Sequence, residues 1–429
     1  MNARVFVVDG VRTPFLGRRP ESGSFSPADL AVWAGRALLS RSPVRPERVD
    51  EMILGCMTPP LGDGHIARTV ALRLGLGMDA QAFSVQRQGA SGLQALSCAY
   101  DRLSAQRTHL VVAGGTDVAH IASMRRTLGL RGVARLYAAK FGPRRLAPLY
   151  DFLSSKLRSA PSPPFDVGHF VGQGIGGRGA EIIAQRFGIN RLAQDRYAAQ
   201  SHERAASAWK AGRFDGEVEA IYGSNGAFYV ADDAVRAGVT FEQLAELPAL
   251  FDPPYGTVTA GNSAVMVDGA ALLLLASEAA VKRFGLTVMA EIVGYAWAGV
   301  DPARRRLGMV HAIAKLLRAH NLKLGDLAHI ELNEESSAHV LACQSACAAD
   351  DYAHDELHRE APLGVIDPAR LNPHGGALAM GHSFGASGAR LALHVARSLQ
   401  EQQGALGVVA LCAGGGDAGA MLIRGGFVS

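Results

Sequence analysis

What the sequence has little of already narrows its chemistry. Five cysteines, Cys56, Cys98, Cys343, Cys347 and Cys412, stand in 429 residues, an odd count without disulfide or zinc-ribbon spacing. Cys343 and Cys347 lie one helical turn apart with Gln344 and Ser345 between them, which reads as one face of a helix. That usage excludes a disulfide-stapled scaffold and predicts a reducing, cytoplasmic setting. No apolar run reaches about 18 residues without a glycine or a charge, so no transmembrane helix is expected. Met1–Gly10 runs straight into a strand pattern, and no secretory leader is expected before it. A formal net charge of +4 is small for this length and gives no general case for nucleic-acid binding.

What is abundant is glycine, 50 residues in a chain that is 48% apolar, which suits an α/β protein with many tight strand-to-helix turns. The densest cluster is Asn372-Pro-His-Gly-Gly-Ala-Leu-Ala-Met-Gly-His-Ser-Phe-Gly-Ala-Ser-Gly388. Glycine costs backbone entropy and packs nothing, so such a run marks backbone that turns sharply and lies close to a ligand. It sets His382 in a loop before a helix expected near Ser387. A second glycine cluster, Leu411-Cys-Ala-Gly-Gly-Gly-Asp417, carries Cys412 at its head. Histidine, cysteine and glycine-lined backbone together point to acyl chemistry at a thioester or ketone.

The chain repeats itself. Gly89-Ala-Ser-Gly-Leu-Gln-Ala-Leu96, a helix, and Leu110-Val-Val-Ala-Gly-Gly-Thr-Asp117 parallel Gly385-Ala-Ser-Gly-Ala-Arg-Leu-Ala-Leu393, a helix, and Val408–Asp417. The two offsets differ by a few residues, which the loop after the helix absorbs. A duplication predicts two similar α/β halves, each a sheet with helices on both faces, whose loops converge on one site at the strand ends. The expected division is 1–120 and 236–284 for the first half, 121–235 for an inserted loop domain, and 285–429 for the second half. Ser26-Pro27 predicts a capped helix start, and Ser91 a cap for the helix after Gly89. The insertion opens with a basic stretch, Met124–Arg158, in which Arg and Lys face only Asp151. This is a solvated face, a phosphate grip, or a contact with a partner subunit or membrane surface.

With these blocks in view the chain resembles the thiolases, which make or cleave the carbon–carbon bond of 3-ketoacyl-CoA. Gln86–Gly92, Gly256–Gly269, Asn333–Val340 with Asn372–Gly388, and Cys412–Gly419 carry the resemblance over the full length and in family order. The basic insertion and Leu247–Gly269 look more like fatty-acid-oxidation thiolases that pair with another subunit. The resemblance implies a five-layered α-β-α-β-α fold and at least a homodimer. Its substrate is a coenzyme A thioester, with no permanently bound cofactor and no metal. It implies His382 as the activating histidine, Cys412 as the acid/base cysteine and Asn333 as the holder of an oxyanion-binding water. Gly89 and Gly414 would offer oxyanion N–H groups, and Gly261 and Ser263 would lie near coenzyme A. His374 matches no catalytic position of the family.

The departure lies at Gly89, where the family has its nucleophilic cysteine. Arg87-Gln-Gly-Ala-Ser-Gly92 holds no thiol. Cys98 is more than two helical turns on, about 13 Å, and Ser91 is better placed to cap. A thiolate nucleophile is therefore missing and the covalent acyl-enzyme step should be impaired or replaced. Smaller departures are Ser383 for a proline, Glu335-Ser336 where the family has small and aromatic groups, and Ala264 where a hydroxyl is common. Gly89 is compatible with an introduced replacement, a natural loss of activity or a natural change of reaction. The functions in view are thus a thiolase-like acyltransferase and non-covalent acyl-CoA enolate chemistry such as decarboxylation. A third is a catalytically silent acyl-CoA-binding subunit supporting a partner.

Overall fold

The computed structural model describes residues 3–17, 25–60, 65–118, 178–223, 226–252, 255–301 and 307–426. The basic stretch Met124–Arg158 lies outside the described residues, as does the start of the predicted insertion. The strands are β1 (Val5–Arg12), β2 (Glu51–Gly55), β3 (Gln81–Val85), β4 (Leu110–Asp117), β5 (Ile221–Tyr222), β6 (Phe228–Tyr229), β7 (Gly269–Ser277), β8 (Ala290–Gly299), β9 (Leu327–Leu332), β10 (Leu406–Cys412) and β11 (Asp417–Arg424). Apart from the β5–β6 pair, they hydrogen-bond in the order β3-β2-β4-β7-β1-β8-β11-β10-β9.

The predicted duplication is visible in the pairing. Parallel β2–β4 is repeated by parallel β9–β10. Antiparallel β4–β7 and β7–β1 are repeated by β10–β11 and β11–β8. One detail differs from two separate sheets: Val5–Val7 of β1 pair with Ala290–Ile292 of β8, so hydrogen bonding runs from one half into the other. β7 is apolar on both faces because helices cover both. Leu272, Leu273, Leu274 and Leu275 are all fully buried, each contributing roughly 1.5–3 kcal/mol.

Helices Ser91–Ser104 and Phe384–Ser398 pack on each other between the half-sheets, within one apolar cluster. Outer helices, among them Pro27–Arg41 and Gly308–Ala319, cover the other faces through two further clusters. Helices, sheet, helices, sheet and helices make the five layers expected. The insertion helices Arg178–Arg186 and Arg191–Lys210 join the core of the second half through Ala180, Ile183, Tyr197 and Ala198. No helix of the described residues is long and apolar enough to cross a membrane.

The duplicated glycines explain themselves at the crossing of the central helices. A Cβ on Gly92 would meet Gly385 O at 2.5 Å, and one on Gly388 would meet Leu93 N at 2.6 Å. These glycines are demanded by backbone lying on backbone. Ser26 caps its helix as expected, accepting from Asp29 N in a capping box. Ser91 does not cap: its Oγ accepts from Arg87 N (2.9 Å) and donates to Gln88 O (2.7 Å), tying the turn before Gly89. The second central helix begins at Phe384, not near Ser387. One turn of helix therefore carries the Ser387 hydroxyl back toward His382.

Candidate active site

Four sequence-predicted positions meet at one locus. His382 follows Gly381, whose φ of +89° and crowding by Val267 fit only glycine. Backbone bonds from His382 N to Val265 O (2.8 Å) and from Val267 N to His382 O (3.3 Å) clamp the loop. The ring is 4% exposed and stands edge-on to Phe384, centroids 4.6 Å apart. Its Nδ1 lies 2.7 Å from Ser387 Oγ, and its Nε2 lies 3.4 Å from Asn333 Nδ2. If the Ser387 hydroxyl donates to Nδ1, Nε2 carries the proton. Asn333 Oδ1, otherwise without a partner among the described residues, then becomes its acceptor after a half-turn of the amide. Burial, reinforced by the Arg390 guanidinium, lowers the His382 pKa to about 3. The imidazole is thus neutral at working pH, a hydrogen-bond donor or base and not a standing cation.

Gly89 lies against this ring. A Cβ there would meet His382 Nε2 at 3.3 Å, Phe384 Cδ1 at 3.4 Å and Cys412 O at 3.6 Å. Gly89 is not among the residues with positive φ, whereas its neighbour Gln88 is, at +47°. Gly89 is therefore unlike its repeat partner Gly385, where a Cβ would collide with Thr116 O. Neither backbone conformation nor packing forces a glycine at 89; a side chain fits with a shift of a few tenths of an ångström.

Cys412 ends β10 and is partly buried. Burial pushes its thiol well above the ordinary value, and the nearby Glu335 carboxylate adds to the rise. A backbone hydrogen bond at Met309 opposes this. The thiol is a proton carrier here rather than a thiolate. Gly414 follows at φ +71°, in a turn closed by Asp417 N to Gly414 O (3.1 Å). Beside it opens a cleft of about 440 Å³ lined by Arg87, Gln88, Gly299, Gly414 and Asp417. Arg87 is fixed across that cleft by Asp417 (2.7 Å) and Gln94 (2.6 Å), and stacks on Trp297 at 3.7 Å.

The remaining predicted residues divide. Ser263 bridges by backbone to Ser336, while Ala264 N donates to Glu335 O (3.0 Å), so this loop runs beside the Asn333–Ser336 block. Ser263 Oγ is buried without a partner among the described residues. Gly261 instead faces Leu247 and Leu244, which a Cβ would meet at 2.6 and 2.8 Å. Its glycine answers to packing. His374 turns away from His382 toward His394, and Cys98 is bonded to Gln94 within its own helix.

Glu334 and Glu335, adjacent in sequence, do opposite jobs. Glu334 is saturated: Tyr197 Oη (2.9 Å), Ser201 Oγ (2.7 Å), Asn372 Nδ2 (2.9 Å) and Leu378 N (3.2 Å) all donate to it. It staples the insertion helix to the His382 loop. Glu334→Gln turns one acceptor oxygen into an amide NH₂ that faces either Ser201 Oγ and the Leu378 N–H or Tyr197 Oη and Asn372 Nδ2. It should cost about 2 kcal/mol, read as a lower urea midpoint at unchanged slope. Glu335 makes no side-chain hydrogen bond to a described residue, and burial raises its pKa to about 7. In sequence it shows only as a change to the acyl pocket. The available signal was a second carboxylate beside a family glutamate whose partners were already spoken for.

Residues 5–279 match the protein family described as "Thiolase, N-terminal domain", and residues 286–425 the family "Thiolase, C-terminal domain". The chain is 31% identical over 426 residues to the 3-ketoacyl-CoA thiolase of Yersinia enterocolitica, covering 98% of this chain and 97% of that one. It is 30% identical over 431 residues to the Vibrio cholerae 3-ketoacyl-CoA thiolase, with the same coverage. Human mitochondrial 3-ketoacyl-CoA thiolase, solved in complex with CoA, superposes with a TM-score of 0.79 at 30% identity over 98% of both chains. The Bacillus anthracis acetyl-CoA acetyltransferase gives 0.77 at 28% over 99% of both. On this full-length likeness in sequence and fold, the chain belongs to the thiolase family.

Proposed function

We propose that this protein acts on coenzyme A thioesters through an enolate formed without a covalent acyl-enzyme. The observation that carries this reading is the pairing of a neutral His382 and Asn333 beside a residue 89 that has no side chain. Nε2–H, when it turns from Asn333 Oδ1, and the Asn333 Nδ2–H are placed to stabilise a thioester oxygen as it becomes negative. Position 89 contributes at most its backbone N–H, as does Gly414. For a malonyl-type thioester, the carbon–carbon bond breaks, its electron pair enters the enolate and carbon dioxide leaves. Cys412 or protonated Glu335 then delivers a proton to the α-carbon. Cleavage or condensation of a 3-ketoacyl-CoA without an acyl-enzyme uses the same oxyanion site. Coenzyme A is substrate, and no resident cofactor is needed for this chemistry. The exposed edge strand β3 supports at least a homodimer, since a bare sheet edge is usually covered.

The test is to incubate the native chain with malonyl-CoA and methylmalonyl-CoA, and separately with 3-ketoacyl-CoA plus coenzyme A. Turnover without an acylated protein supports the reading. Binding of acyl-CoA with no turnover of any of these replaces it with the silent, partner-supporting subunit.

Glu335 gives this proposal a pH signature. With a carboxyl at about 7, the proton-donating form is lost as pH rises through neutrality, so turnover should fall there. Glu335→Gln should abolish that limb and lower the rate about 10- to 100-fold. Stability moves in the same window. From the ordinary value of 4.5 up to about 7 the unfolded chain ionises Glu335 while the folded chain does not, so native stability falls and then levels. Glu335→Gln should therefore be the more stable protein at pH 8 by up to about 2 kcal/mol, allowing for partial exposure. Equal urea midpoints for both proteins across pH 5–8 would remove Glu335 from this role.

A further inference from the structure

Away from the thioester locus, the second half buries an unusual group of side chains. His329 and Glu331 project from one face of β9, two residues apart as strand geometry requires. His394 reaches them from the Phe384–Ser398 helix, and His374 from the loop before it. One ligand atom each from His329, Glu331 and His394 lie within 4.8 Å of one another, all three residues buried. His329 Nε2 is 2.9 Å from Glu331 Oε1, and His374 Nδ1 is 3.0 Å from His394 Nε2. Nothing in the enolate chemistry uses any of them.

We propose that His329, Glu331 and His394, with His374 at the fourth position, form a structural site for a divalent transition-metal ion of the zinc type. Three imidazoles and a carboxylate are a ligand set that suits such an ion. Donor atoms around a tetrahedral zinc ion sit about 3.4 Å apart. The three ligand atoms of His329, Glu331 and His394 lie close to that spacing, and His374, outside that trio, approaches through its 3.0 Å contact with His394 and must swing inward to complete the set.

The surroundings supply what first ligands alone do not. His394 Nδ1 lies 2.8 Å from Glu217 Oε2. Donation from Nδ1–H to this carboxylate leaves Nε2 with its lone pair toward the other three groups, the usual outer support of a metal-bound histidine. Glu217 is itself held by Arg12 (2.7 Å), which also pairs with Asp232 (2.6 Å). Arg390 opposes a cation here, as does Arg213 near His374. Arg390 lies on the far side of Glu331, its Nη1 4.0 Å from Oε2, leaving Oε1 turned to the histidines. Arg12 is paired with Asp232 and Glu217, so its charge is already balanced before the ion is considered. Glu331 Oε2 and all three Arg390 nitrogens have no hydrogen-bond partner among the described residues, so the cluster is not a closed polar network. His374 is only partly buried and provides the way in.

The proposed role follows from position. β9 ends one residue before Asn333, and the Phe384–Ser398 helix begins two residues after His382. An ion here would clamp together the strand and helix that set the Asn333–His382 pair. It would be a closed site with no open position for substrate.

The experiment uses the full-length chain, stripped with a chelator and titrated with cobalt(II) and zinc(II). One equivalent of cobalt bound with intense visible d–d bands, displaced by zinc, is expected, together with a rise in the unfolding temperature on zinc addition. His394→Gln should abolish the bands, and His374→Asn should weaken binding at least tenfold. His374→Asn, on a partly exposed loop, keeps the test open if His394→Gln fails to fold. A folded native chain that takes up neither ion overturns the proposal. So do d–d bands unchanged in His374→Asn and in folded His394→Gln, which would place the metal elsewhere.

Discussion

Gly89→Cys is expected to raise CoA-dependent cleavage of 3-ketoacyl-CoA by about 10³-fold or more over the native chain, with an acyl adduct on residue 89. The fold permits it. Position 89 is not left-handed, and the new Cβ meets His382 Nε2 at 3.3 Å and Phe384 Cδ1 at 3.4 Å, distances that call for slight adjustment only. The thiol would sit beside Nε2 of a neutral imidazole, which takes its proton in the tautomer where Nδ1–H donates to Ser387 Oγ, the pairing that makes a cysteine nucleophilic. Removing an optimised nucleophile costs about 10⁶-fold in well-studied hydrolases. Recovery should fall short of that figure because Ser383 and Glu335 remain as they are. Mass spectrometry of the quenched protein reads the adduct, and loss of 3-ketoacyl-CoA absorbance reads the rate. A folded variant that acquires neither would mean that more than the thiol has been lost from this site.

His382→Ala should lower any turnover of the native chain by about 10²–10³-fold, the usual cost of one donor to a developing oxyanion. The loss should appear in kcat more than in KM, because the hydrogen bond strengthens only as the thioester oxygen gains charge. It should also be independent of pH between 5 and 8, since His382 is neutral throughout. A pH limb that moves with His382 would contradict that neutrality. In Glu335→Gln, by contrast, a limb near pH 7 should vanish while KM changes little.

The duplication was the most legible feature of the fold, and the structure shows why. Gly92 and Gly388 are fixed by the crossing of two central helices, so each half must keep the same small residues in the same order. The apolar run Ala270–Ala276 was legible for a similar reason, being covered on both faces. The joining of the half-sheets was not, because β1 and β8 share only a three-residue pairing and no local pattern encodes it. Serines misled at the helix starts. Ser91 reads as a cap and Ser387 as a helix start, yet one ties the Arg87 turn and the other bonds His382. A hydroxyl with several partners in reach does not reveal its choice in sequence.

The convergence of His382, Asn333, Cys412 and Gly89 at one locus was legible because the glycine clusters frame them. Gly261 packs on Leu244 and Leu247, a contact no local pattern shows. Glu335 went unassigned because its distinction from Glu334 depends on partners from Tyr197, Ser201 and Asn372, far apart in the chain. The histidine group at His329, His374 and His394 was hidden for the same reason. Its members come from a strand, a loop and a helix, and only the fold brings their rings within about 6 Å.

Solvent-deuterium exchange at the α-carbon of a simple acyl-CoA asks directly whether this site forms an enolate without acylating itself. The native chain, with glycine at 89, should exchange the α-protons of acetyl-CoA or propionyl-CoA in deuterium oxide, at a rate cut at least 100-fold by His382→Ala and with no protein-bound acyl group at any time. Binding of the thioester with no exchange above the buffer rate would contradict the proposed chemistry.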